Sequence, residues 1–149
     1  MLAKKPVNKK AFIISSLRRC SFRWPGRTEA LLKARAKQLE RRGRMVWHYR
    51  CVECVSNVLH PAKGVRVDHI DPVVPLSGFP MLPGGREDWG EYIDRLFCDA
   101  SGFQILCLEH HKTKTTEEIA IRKAHRQVSK NMQPKKAKRR PHVANRSKK

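Results

Sequence analysis

The sequence predicts an α+β domain stapled by a metal and set between basic flanks, and three observations carry that expectation. Short apolar runs of strand length are interspersed with segments of helical period. Two pairs of metal-type residues share a two-residue gap, Cys51 with Cys54 and Cys107 with His110. The third observation is charge: 149 residues hold 33 Lys or Arg against 13 Asp or Glu, a formal +20. Residues 1–50 carry 15 basic and 2 acidic side chains, residues 51–121 carry 6 and 11, and residues 122–149 carry 12 and 0. A mildly acidic centre between basic flanks suits a protein that grips a polyanion and sets carboxylates or metal against it. Nucleic acid is therefore the expected partner, and a plain metabolic enzyme is disfavoured.

Taken in order, residues 1–27 read as a basic N-terminal arm whose first ten residues have too few apolar groups to order. A basic helix is expected over 28–46, with Thr28 as cap, Leu31, Leu32 and Leu39 on its apolar side and Gly43 as its stop. On such a helix Lys33, Lys37 and Arg41 share one face and can meet phosphates. Met45 to Tyr49 forms an apolar run leading into Cys51, and Val65-Arg66-Val67 alternates as a half-buried strand ahead of Asp68. Pro72 to Gly85, rich in Pro and Gly, predicts a loop. Asp88 and Glu91 form a capping box for a helix whose Trp89, Tyr92, Ile93, Leu96 and Phe97 read as core. A last helix starts within His110 to Thr116 and carries Ile119, Ile121, Ala124 and Val128. Residues 129–149 form a basic disordered tail in which Lys135, Lys136, Arg139 and Arg140 are further phosphate contacts.

Thiolate and imidazole are the ligands zinc prefers, and a two-residue gap lets both side chains of a pair converge on one tetrahedral ion. Cys51, Cys54, Cys107 and His110 thus predict a closed, structural zinc site, the kind of staple that a core of about 70 residues needs. Cys20 and Cys98 stand outside the pattern and read as buried thiols, with Cys98 the alternative to His110 as fourth ligand. Asp68 and His69, adjacent at a strand end, project to opposite sides, so one can hold a metal while the other faces substrate. Phosphodiester hydrolysis asks for both, a divalent ion for the developing charge and a base titrating near neutrality.

Three stretches in this order resemble the HNH endonucleases, in particular the small phage-encoded type, over about residues 47–116: Cys51-Val52-Glu53-Cys54, Val67-Asp68-His69-Ile70-Asp71-Pro72-Val73, and Phe103-Gln104-Ile105-Leu106-Cys107-Leu108-Glu109-His110-His111-Lys112-Thr113-Lys114-Thr115. The resemblance implies a ββα-metal (His-Me finger) core with a four-ligand zinc knuckle site and flanking helices, the nuclease domain spanning 47–128. It implies His69 as general base, Asp68 and His111 as ligands of a catalytic Mg²⁺ or Mn²⁺, and Cys51, Cys54, Cys107 and His110 as the zinc set. Where the family often has Asn, this chain has Gly102-Phe103-Gln104. The groups that could orient the base instead are Asp99, Ser101, Gln104 and the Gly102 carbonyl.

The expectation is a metal-dependent DNA endonuclease without a small-molecule cofactor or a membrane partner. No apolar run approaches the roughly 18 residues of a membrane span, so a soluble cytoplasmic protein is expected. Two other classes fit the composition: a non-catalytic zinc-containing nucleic-acid-binding protein, and a basic structural or packaging component.

Overall fold

The computed structural model describes residues 7–55 and 58–132. Helix α1 (Lys9–Ser21) begins where the Asn8 side chain accepts the Ala11 N–H, so much of the expected basic arm is helical. Pro25, whose fixed φ suits the first turn, opens α2 (Pro25–Lys33). There the expected 28–46 helix is corrected. It stops at Lys33, and the chain turns into β1 (Arg35–Arg41) and β2 (Arg44–Arg50). The strands pair antiparallel from Arg35↔Tyr49 to Arg41↔Arg44. Arg42 and Gly43 both take positive φ, 53° and 71°, the geometry of a tight hairpin turn. Gly43 is thus a hairpin signal, and the β-branched and aromatic run after it pulls the preceding segment into a strand. Lys37 and Arg41 therefore lie on β1, away from Lys33, whose ammonium pairs with Glu29 at 2.6 Å.

Strand β3 (Leu59–Pro61) pairs with the last three residues of β2, completing a three-stranded sheet in the order β1-β2-β3. A short 3-10 turn leads to β4 (Val65–His69), which pairs antiparallel with β5 (Phe103–Cys107) in a second sheet. Between them lie the expected loop and α3 (Trp89–Leu96), whose N-cap Asp88 accepts the Glu91 N–H. Helix α4 (Leu108–Met132) starts at the residue after β5. The molecule is thus a mixed α+β protein with two small sheets.

Tyr49, Val65 and Ile105 form the centre of the core, with Leu31, Ala34 and Val67 packed against them. This cluster ties α2 and both sheets together. Tyr92 and Leu96 of α3 are buried, whereas Ile93 is 41% exposed and faces outward, against expectation. On α4, Ile119, Ile121 and Val128 are exposed, against the expectation of an apolar side. Cys20 is exposed on α1, which corrects its reading as a buried thiol. Lys135, Lys136, Arg139 and Arg140 lie outside the described residues.

Helix α2 reaches the second sheet through close backbone approach. A Cβ on Gly26 would stand 2.9 Å from the Cys98 carbonyl oxygen, and the neighbouring Trp24 Nε1 donates to that same oxygen at 2.6 Å. This contact fixes the segment between α3 and β5, which lies beside the end of β4.

Candidate metal centre and the Asp68–His69 strand end

Cys51 follows β2, Cys107 ends β5 and His110 stands in the first turn of α4, so the fold brings the two distant pairs together. The Cys54 N–H donates to the Cys51 carbonyl at 3.3 Å, closing the first knuckle. Val52 N–H donates to Ile105 O at 3.0 Å and docks that knuckle on β5. The four ligand atoms lie within 4.8 Å of one another, with His110 presenting Nδ1. His110 Nδ1 is 3.5 Å from Cys51 Sγ, 3.4 Å from Cys54 Sγ and 3.2 Å from Cys107 Sγ, and the Cys54 and Cys107 sulfurs are 3.9 Å apart.

Tetrahedral zinc, with bonds of about 2.3 Å to sulfur and about 2.0 Å to nitrogen, separates its ligand atoms by about 3.5–3.8 Å. These four spacings match within a few tenths of an ångström, and the cluster can hold a metal ion such as zinc. Its electrostatics favour a cation. Burial raises the Cys51 thiol, but the backbone of Cys107 and Glu53 and the side chains of His110 and Cys54 outweigh that and bring it down to about 7. Burial and the sulfurs of Cys51 and Cys107 push Cys54 up to about 12, so one sulfur resists ionising beside the others. A bound dication removes that conflict by deprotonating its thiols. Cys98 is absent from the cluster. His60 on β3, which carries no knuckle spacing in the sequence, brings Nε2 to 3.4 Å from Cys54 Sγ.

At the end of β4 the pleat sends Asp68 and His69 to opposite sides, as alternation predicts. Asp68 pairs across the sheet with Gln104 and His69 with Phe103, whose ring centroid is 4.6 Å from the imidazole. His69 Nε2 lies 3.1 Å from the Leu96 carbonyl. A carbonyl only accepts, so Nε2 carries the proton and the neutral ring keeps its Nδ1 lone pair. Burial lowers the His69 pKa below its ordinary value, and the charges of Arg27 and Lys114 act the same way against the Leu96 carbonyl and Asp68. The imidazole is therefore neutral at pH 7, the state that accepts a proton.

None of Asp99, Ser101, Gln104 or the Gly102 carbonyl orients His69. The Gly102 carbonyl instead accepts the Ile70 N–H at 2.9 Å, and Gln104 Nε2 lies 3.5 Å from Asp68 Oδ2. Gly102 itself is sterically fixed: a Cβ there would sit 2.6 Å from Cys98 Sγ. Asn at this position would clash, and the Leu96 carbonyl supplies the acceptor from the helix end of α3. A main-chain carbonyl carries no residue-type signal, which is why the sequence could not point to it.

Asp68 Oδ2 accepts from Lys114 Nζ at 2.6 Å. The same ammonium contacts the carbonyls of His69 and Ile70, the latter at 3.2 Å, and lies 3.7 Å from Glu118 Oε1. Glu118 in turn pairs with Arg122, which reaches the Val74 carbonyl at 2.8 Å. One face of α4 is thereby locked along the end of β4. His111 is half-buried one turn ahead of Lys114, and among the described residues its ring forms no hydrogen bond or ion pair with Asp68 or His69. Among the described residues, the Cys51–Cys54–Cys107–His110 group is also the sole gathering of three or more metal-type side chains. The donors around Lys114 are hard oxygens, the chemistry that suits Mg²⁺ or Mn²⁺, and they already surround a cation. Arg27 of α2 adds a second positive charge near Asp68 and His69.

No family model, curated protein or solved structure matches this chain. No helix among the described residues is long and apolar enough to cross a membrane.

Proposed function

We propose that this protein is a metal-dependent DNA endonuclease of the HNH type, its core a ββα-metal unit formed by β4, β5 and the start of α4. The observation that carries the reading is His69: a neutral, half-buried imidazole whose Nε2–H is committed to Leu96 and whose Nδ1 is free to take a proton. A general base in that state withdraws a proton from an attacking water without a large change of pKa. Cys51, Cys54, Cys107 and His110 would hold a structural zinc that clamps β5 and α4 to the knuckle after β2. Asp68, with His111 from α4, would hold Mg²⁺ or Mn²⁺, which when bound neutralises charge on a scissile phosphate and its leaving oxygen. Arg27 and Lys114, whose charges already act on His69, would add positive potential for a phosphate drawn to it.

The test is conversion of supercoiled plasmid by purified protein with Mg²⁺ or Mn²⁺ against an EDTA control, run in parallel with His69→Ala. Ion-dependent cleavage that the variant loses supports the reading. Binding without cleavage by the wild type overturns it in favour of a non-catalytic, zinc-containing nucleic-acid-binding protein. That second reading draws on one observation, the Lys114 ammonium seated on Asp68.

A further inference from the structure

The β1–β2 hairpin has a two-stranded portion that no third strand supports. Strand β3 pairs only with His48, Tyr49 and Arg50, so from Gln38↔Trp47 outward to Arg41↔Arg44 the ribbon has no further strand beside it. An unsupported two-stranded ribbon is marginal in water, and this one has little to bury: Leu39 and Val46 face each other half-buried, while Met45 is 60% exposed. Its composition does not serve a core. The turn carries Arg41, Arg42 and Arg44, and these line a recess of about 430 Å³ with Lys63. None of the four pairs with an acid among the described residues. Four cations held together without acidic partners repel one another, a cost that a polyanion relieves.

We infer that this hairpin is a duplex-DNA anchor that inserts as a β-ribbon into the major groove, with its tip arginines on the flanking phosphates. The inference rests on the proposed DNA partner and is independent of the catalytic assignment. The dimensions fit. From Gln38 to Arg41 the unsupported ribbon runs about 10 Å at the rise of an extended strand. The major groove is about 12 Å wide and about 8.5 Å deep, and it admits a two-stranded ribbon. At the base of the ribbon a register irregularity between Arg35 and Lys37 bends β1, and the Arg35 guanidinium covers the Trp47 ring at 5.0 Å, bracing the exposed aromatic.

The experiment compares the full chain with a triple variant, Arg41→Gln, Arg42→Asn and Arg44→Gln, and with a charge-matched control, Arg18→Gln, Arg19→Gln and Arg23→Gln. Asn is chosen for position 42 because it tolerates the positive φ there. Duplex affinity is measured by fluorescence anisotropy across a salt series, and reactivity of guanine N7, a major-groove atom, is measured by dimethyl sulfate footprinting. Bound metal and melting temperature verify the fold of each variant. The hairpin variant should bind duplex at least about 10-fold more weakly, with a salt slope shallower by about 2.7 when three phosphates are no longer neutralised. The N7 protection seen with wild type should vanish with it. Equal losses in the hairpin variant and the control, or wild-type binding without N7 protection, overturn the inference. Wild type that binds no duplex overturns it together with the DNA reading. Hairpin-dependent binding without cleavage leaves it standing while the nuclease reading falls.

Discussion

His69 and Leu96 are joined by a contact of 3.1 Å between a ring nitrogen and a main-chain carbonyl, across 27 positions of sequence. It holds the imidazole in one tautomer, and the end of α3 is the only part of that helix the catalytic proposal needs. His69→Ala should lower plasmid cleavage by about 100-fold or more, the usual scale for a general base, while bound zinc and DNA affinity stay at wild-type values. Because the His69 pKa is lowered, the base loses its proton below the ordinary imidazole range. Cleavage should therefore rise with pH through the acidic side of pH 6.5 and level off by neutrality, read as a rate–pH profile at saturating Mg²⁺.

The Cys/His cluster makes a stability prediction. One zinc per chain is expected by elemental analysis, and Cys51→Ala should abolish stoichiometric binding together with the cooperative thermal transition. The ligands join segments that share few other buried groups, Leu106 being the main apolar one beside Cys51 and Cys107. Metal-binding energy is thus folding energy here. A variant that melts like wild type would remove the structural role.

Much of the metal cluster was legible in the sequence, because its signal is residue type and spacing: Cys51, Cys54, Cys107 and His110 do converge. The N-cap at Asp88 and the β4 run from Val65 were equally local signals, although the capping box is only half made: the Asp88 N–H donates to the Pro80 carbonyl and Glu91 pairs with Arg95. The 28–46 segment misled because Leu31, Leu32 and Leu39 fit a helical period, while the turn at Arg42 and Gly43 demanded a hairpin. Lys114 and Arg27 were invisible as site residues, since one more Lys or Arg in so basic a chain carries no information without its contacts.

Gly102 stands where the resemblance expects Asn, and its contact with Cys98 explains why glycine serves. Gly102→Ala would force a methyl group to 2.6 Å from Cys98 Sγ, an overpacking that should cost about 1–3 kcal/mol in denaturant unfolding. Gly102→Asn should cost at least as much and give no gain in cleavage, because Leu96 already accepts the His69 ring proton. Adding Cys98→Ala should recover part of the loss, since the sulfur is the nearest clashing atom and the Cys98 Cβ, at 3.0 Å, remains. Equal stability of wild type and Gly102→Ala would show that the segment yields freely.

Lys114 separates the two readings of Asp68. Its ammonium lies among the Asp68 carboxylate, two backbone carbonyls and Glu118, so a divalent ion on Asp68 must move it aside or share the carboxylate with it. Lys114→Met keeps most of the aliphatic stem and removes the charge. The half-buried Asp68 then loses its ion-pair partner, and in metal-free buffer the variant should unfold more readily by about 1–3 kcal/mol, the usual cost of leaving such a group unpaired. If Asp68 is a metal ligand, Mn²⁺ should bind the variant more tightly than wild type in electron paramagnetic resonance titrations of the zinc-loaded protein, and should restore the lost stability. Asp68→Asn should erase that gain. If Mn²⁺ binds neither protein, Lys114 is the permanent cation of this site, and the strand end of β4 is a structural feature rather than a metal-dependent catalytic one.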